Sequence, residues 1–452
     1  MALTVTAAPA PPTAREATPP GGPGHRWTLL PLIAAVLLVA LPPGTLGDGP
    51  AGVPVADLVS GAAVLVCAGR LLLLRRRPLS PTAAAVLGLP VVGLAVATVT
   101  AADPVAALPG FVRYLQVFVL VPATVVLLLR NARDFRVLAG ALVVLASIEG
   151  GVGVHQYVTG SGASYMGEEI RAVGTFGPGD VMGMATVVGY GLVAATAFAL
   201  RGSPGATGRA RLWAGATAAL LAVPLTLSFS RGAWIATAAG AVAVIVLTGL
   251  RQAVRALAVT GAAAVVLVGG FGIGSDMIAQ RLTSITEVTS APDRSVNDRY
   301  TMWAAATGMW REQPATGVGL KGFPAHRDGH ASIGLSSGSD TEGAGQEFRR
   351  QPLLSPHNMY LLVLSEQGLV GCVLLAGSWL ALLAAGIRRL ARARAGGSAA
   401  LDCGLVAVGL MTWQTVDFLY ADIGGPSTLL TGIVLGLAAW WALAAHEGAT
   451  AG

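Results

Sequence analysis

The feature that most limits this chain is the recurrence, along nearly its whole length, of apolar runs about 20 residues long with few charges. A hydrocarbon layer of roughly 30 Å is crossed by about 20 helical residues, and lipid offers no partner to an open backbone amide. Runs of this kind therefore become membrane helices. Twelve are expected, at 28–46, 54–74, 82–101, 111–129, 136–157, 181–200, 212–228, 232–250, 255–274, 358–387, 400–419 and 427–446. The predicted fold class is all-α: a polytopic integral membrane helical bundle of about 12 transmembrane helices with a long, partly helical extracytoplasmic loop. The tenth run is too long for one straight helix, and the Gln367-Gly368 pair is expected to break it.

Composition excludes the rival classes. Charged residues make up 12% of the 452, against about 25% in a soluble domain, so a cytosolic enzyme has too little polar surface here. Cys67, Cys372 and Cys403 all lie in apolar runs, where they read as small packing residues rather than a disulfide framework. Residues 1–26, rich in Ala, Pro, Thr and Gly, read as a disordered cytoplasmic tail. Residues 27–274 hold helices one to nine, 275–356 form the outer loop region and 357–446 hold the last three helices. The run from Trp27 to Leu41 lacks a small-residue cleavage site and is expected to stay as the first span.

The net charge of +6 is an orientation signal more than a recognition surface. Arg70, Arg75, Arg76 and Arg77 follow span two; Arg130, Arg133 and Arg136 follow span four; Arg201, Arg209 and Arg211 follow span six. Arg251 and Arg255 follow span eight, and Arg388, Arg389, Arg392 and Arg394 follow span ten. The positive-inside rule makes these ends cytoplasmic, with both termini inside and the 275–356 loop outside. In that loop basic and acidic residues nearly balance, so no nucleic-acid surface is expected.

Three polar elements interrupt the apolar pattern. Leu227-Ser228-Phe229-Ser230-Arg231-Gly232 places a guanidinium between two spans with almost no loop; such a charge snorkels to the interface or meets an anion. Asn297 to Arg311 (NDRYTMWAAATGMWR) has apolar residues at helical spacing and carries Arg299 and Trp303. Pro356-His357-Asn358-Met359-Tyr360 opens the tenth run, with Glu366 further along; a histidine there serves as a general base or a ligand donor, or only bonds water and backbone. No acidic pair is spaced like a divalent-metal motif. Arg171 stands beside Glu168 and Glu169, which offer it an ion pair as the alternative to an anion site; Glu149 and His155 in span five read as polar packing, and Asp417 and Asp422 as a solvated loop, the alternative being ligands of sugar hydroxyls.

Taken in order, SRG at 230–232, R-x-x-x-W at Arg299 to Trp303, P-x-x-G-x-G-x-x-x-F from Pro314 to Phe323 and H-N-x-Y-L-x-x-x-x-E-x-G from His357 to Gly368 closely resemble the O-antigen ligase and O-antigen polymerase family of membrane glycosyltransferases. The resemblance covers roughly residues 171–371. It departs at Gly174-Thr175-Phe176-Gly177-Pro178-Gly179-Asp180, where many relatives carry an Asn-Pro-Asn core. The family implies a GT-C-type enzyme that moves a glycan from a polyprenyl-diphosphate carrier to an acceptor hydroxyl outside the cytoplasm, in a bacterial cell membrane. No metal or other cofactor is expected. Carried over by position, Arg231 and Arg299 bind the lipid diphosphate and His357 is catalytic; Arg171, Glu366 and Asn358 are secondary candidates. The expected partners are the lipid-linked glycan donor, a glycan, lipid or protein acceptor, and the bilayer. Ligase and polymerase share the donor and differ in the acceptor. A multi-pass transporter, or a non-catalytic part of a polysaccharide export machine, is the alternative.

Overall fold

The structure, a computed structural model, describes residues 29–42, 54–74, 79–165, 171–177, 180, 182–201, 203–249, 294–331, 339–343, 349–351, 354–425 and 427–444. The expected tail at 1–26, the ninth span at 255–274 and Arg75, Arg76 and Arg77 lie outside the described residues.

The helices start where short polar side chains can cap them. In α3 (Pro81–Val99) the Ser80 hydroxyl accepts from the Ala83 amide at 3.2 Å, and in α4 (Pro104–Leu115) Asp103 accepts from Val105 and Ala106, both at 3.0 Å. Asn131, Thr207 and Ser230 do the same for α6 (Ala132–Thr159), α8 (Gly208–Leu227) and α9 (Arg231–Thr248). Each cap satisfies an amide that has no intrahelical partner. The remaining apolar helices are α1 (Leu30–Leu37), α2 (Val55–Leu74), α5 (Val121–Leu128), α7 (Gly183–Arg201), α12 (Met359–Ala395), α13 (Leu401–Asp417) and α14 (Thr428–Leu443). Among the described residues, two further helices lie between α9 and α12: α10 (Arg294–Glu312) and α11 (Phe323–His330).

Among the described residues, eight helices are long and apolar enough to cross a membrane, and the chain is an all-α polytopic membrane protein. The fourth span starts earlier than the sequence indicates: α4, a π-helical turn at Gln116–Leu120 and α5 run as one 25-residue apolar helix from Pro104 to Leu128. Asp103 and Pro104 fix that start, and Gln116 uses the π turn to reach the Ser60 hydroxyl of α2 at 2.7 Å. The break in the tenth run falls where expected, at Gly368, with φ 62° and ψ −163°.

The segments between the apolar helices are not purely helical. Ala163–Tyr165, Ser339–Gly343 and Arg349–Gln351 form an antiparallel three-stranded sheet in that order, pairing Ala163 with Gly343 and Thr341 with Arg349. It ties the segment after α6 to the far end of the loop, a pairing that the sequence, with no clear alternation there, does not announce.

The arginine-rich helix ends gather at one end of the bundle. Arg136 grips Asp402 through Nε at 2.6 Å and Nη2 at 2.9 Å; Arg211 donates to the Ala199 and Leu200 carbonyls; Arg389 donates to those of Trp441 and Ala444, both at 2.7 Å. Arg211 and Arg389 thereby cap helix C-termini, while Arg136 pairs with the first turn of α13.

Candidate functional site

The opposite end carries the unusual backbone. Among the described residues three non-glycine residues are left-handed: Phe229 (φ 50°), Lys321 (φ 63°) and His357 (φ 49°). Such a conformation costs about 1–2 kcal/mol and persists only where its surroundings impose it. Each of the three lies in or beside one of the motifs singled out above.

The first constraint is the break in α12. With Gly368 out of helical geometry, backbone groups around it lose their helical partners, and the 314–319 segment takes them up. Val318 N donates to Ser365 O at 2.9 Å and Gly319 N to Glu366 O at 3.1 Å, while Leu369 N donates to Pro314 O at 2.8 Å and Val370 N to Ala315 O at 3.2 Å. The P-x-x-G-x-G and E-x-G elements are two halves of one backbone lock. Buried Glu366 belongs to it: its Oε1 accepts from Phe323 N, at the start of α11, at 3.2 Å. Its neighbour Lys321 crosses the face of Tyr114, the ammonium 5.6 Å from the ring centroid. Glu366 is thus placed to hold the loop.

That turn is pinned on both sides. Trp303 Nε1 donates to Pro356 O at 2.9 Å. Asn358 caps α12 by accepting from Leu361 N and donates its Nδ2–H to Leu419 O, both at 3.0 Å, and Met359 N is shared by Phe418 O and Ala421 O. Asn358 therefore holds the turn in place. Burial lowers the His357 pKa below its ordinary value, with Arg299 acting the same way and Asp422 opposing. The imidazole is consequently neutral at pH 7, the state in which it accepts a proton.

The loop after α13 joins this turn to Arg231. Tyr420 packs against Gly232, where an added Cβ would lie 3.0 Å from the tyrosine Cβ. Arg231 is the first residue of α9, behind the Ser230 cap and the left-handed Phe229, whose ring lies 6.4 Å from that of Tyr157. The same loop carries Asp422, and α13 ends on Asp417. The solvated-loop reading fails for Asp417, which is 4% exposed and within electrostatic reach of Arg299. The stretch Asp417-Phe418-Leu419-Tyr420-Ala421-Asp422 looks like a polar turn; its burial comes from α9 and α12, distant in sequence.

Arg171 sits in the segment that follows the first strand. Its amide and carbonyl pair with Ala163, and the next residue donates to Leu227 O, which sets this segment beside the end of α8. Glu168 and Glu169 lie outside the described residues. Glu149 is spent on Thr175, accepting from its amide at 2.9 Å and its hydroxyl at 2.7 Å, and His155 is exposed; polar packing is the right reading of Glu149. Asp180 accepts from Ser427 Oγ at 3.3 Å and from the Gly183 amide, and burial lifts its pKa to about 6.

The fold and these turns define the class: a polytopic helical membrane protein with strained, pinned turns and buried charge converging at one end. Residues 216–376, about a third of the chain, match the O-antigen ligase family. That match bears out the resemblance over this segment and supports a membrane glycosyltransferase-like function. No curated protein matches the chain. Arg231, Arg299, His357, Asn358 and Glu366 lie inside the matched segment, and Arg171 precedes it.

Proposed function

We propose that this chain transfers a glycan from a polyprenyl diphosphate to an acceptor hydroxyl on the extracytoplasmic side of a bacterial membrane. The observation that carries the reading is the left-handed His357, pinned on both sides and half-buried within electrostatic reach of Arg299, at the end of the bundle remote from the arginine caps. The acceptor O–H gives its proton to the neutral imidazole while its oxygen attacks the anomeric carbon, and the bond from that carbon to the diphosphate oxygen breaks. The electron pair leaves with the diphosphate. Arg231 and Arg299 meet the charge that develops there with charge-assisted hydrogen bonds, which requires no metal. Direct attack of this kind inverts the anomeric centre. The imidazolium that forms is stabilised by Asp422, which favours the protonated ring.

Purified protein in proteoliposomes, supplied with a polyprenyl-diphosphate glycan and acceptor, tests the reading. His357→Ala, Arg231→Ala and Arg299→Ala should each lower polyprenyl diphosphate release by about a hundredfold or more. Turnover like the parent in the His357 variant would sink the proposal. Offering a second lipid-linked glycan or a non-glycan acceptor separates polymerase from ligase.

A further inference from the structure

The R-x-x-x-W spacing puts Trp303 one helical turn after Arg299 on α10. On the same helix Met302, Ala305, Ala306 and Met309 are fully buried against the core shared with α12, which fixes the helix in place. Tyr300 stands edge-on to the indole, ring centroids 5.6 Å apart and planes at 80°, and restrains its rotation. The indole N–H therefore has a defined direction, and it ends on Pro356 O at 2.9 Å.

We propose that Trp303 is a positioning residue for the reaction: by fixing the Pro356–His357 peptide it holds His357 in its left-handed turn and aims the imidazole at the acceptor hydroxyl. The carbonyl it binds shares a peptide plane with the nitrogen of His357, so the hydrogen bond fixes one side of the bond about which φ is 49°. Asn358 and Met359 fix the other side through the loop after α13. Remove the indole N–H and one restraint remains against a conformation that histidine does not prefer. The peptide then relaxes, the ring swings toward water, and the geometry needed for proton transfer is lost while the diphosphate arginines stay in place. The inference rests on the reading of His357 as the reacting base.

Trp303→Phe keeps the ring and removes only the donor. Turnover of polyprenyl-diphosphate glycan should fall about tenfold in kcat, the effect of one hydrogen bond, with the donor KM within about twofold of the parent. The acid limb of kcat should also move to higher pH, because the imidazole regains water. The charges that act on the imidazole are Asp422, in the loop after α13, and Arg299 on α10; these, and Asp298 on α10, Asp417 on α13, Glu366 on α12 and Arg231 on α9, are all unchanged by the substitution. A readout free of turnover keeps the two readings apart: the His357 ring resonances, identified by their absence in His357→Ala, should titrate at higher pH in Trp303→Phe. An unchanged titration, or a kcat equal to the parent, overturns the positioning role. A parent-like His357→Ala variant overturns the base reading, whatever Trp303 does.

Discussion

Replacing Gly368 by alanine tests how α12 is built. Its φ of 62° and ψ of −163° belong to a backbone region that is essentially reserved for glycine, and holding another residue there costs about 1–3 kcal/mol. A Cβ at this position would also meet the Ala315 carbonyl and lie 2.5 Å from Thr316 N. The substituted helix can straighten only by expelling the 314–319 segment, which gives up four backbone hydrogen bonds of about 0.5–1.5 kcal/mol each. The first route adds the Cβ clash to the strain and the second costs about 2–6 kcal/mol, so the expected loss is about 2 kcal/mol or more. The assay is unfolding in mixed micelles with increasing denaturing detergent, followed by the fluorescence of the nine tryptophans. Gly377→Ala is the matched control, since it lies in the same helix with nothing within 4 Å of an added Cβ and should be neutral or stabilising by up to about 1 kcal/mol. Should the two variants unfold together, the break at Gly368 is not held by the lock described here.

The orientation follows from labelling: with the native cysteines replaced, Asp328→Cys on exposed α11 should react with an impermeant thiol reagent applied to intact cells, and reaction only after permeabilisation reverses the topology. For Asp180, whose pKa is about 6 in the fold and near 4 in the unfolded chain, the folded state binds more protons between these values. Its contribution is present below about pH 4 and is lost as pH rises through 6, on the order of 3 kcal/mol. Thermal unfolding in detergent should show this slope in the parent and lose it in Asp180→Asn; identical profiles refute the argument.

How far these features could be read from the residues depends on what set them. The spans follow from local apolarity, and the kink at Gly368 follows from one glycine inside an otherwise continuous run. The fourth span starts seven residues early because Pro104, Pro109, Gly110 and Arg113 dilute an apolar window without preventing a helix once Asp103 caps it. Arg231, Arg299 and His357 stood out as charges or a histidine at span ends. The distinction between His357 and Glu366 did not, because both sit in one short motif and only the partner loops separate them. The bond of the Trp303 indole to a carbonyl 53 residues away and the burial of the Asp417 carboxylate leave no local mark in the sequence.

The arginine caps have a consequence for how the chain is assembled and altered. The charges that would orient the nascent helices also close them, since Arg389 spans two carbonyls of α14 and Arg211 two of α7. A single guanidinium so placed acts first as a sorting signal and then as a clasp. Lysine keeps the charge that sorts but offers a point donor in place of the planar fork, so an Arg389→Lys protein should insert correctly and hold α14 less firmly. Orientation and cohesion, measured separately, would come apart in that one residue.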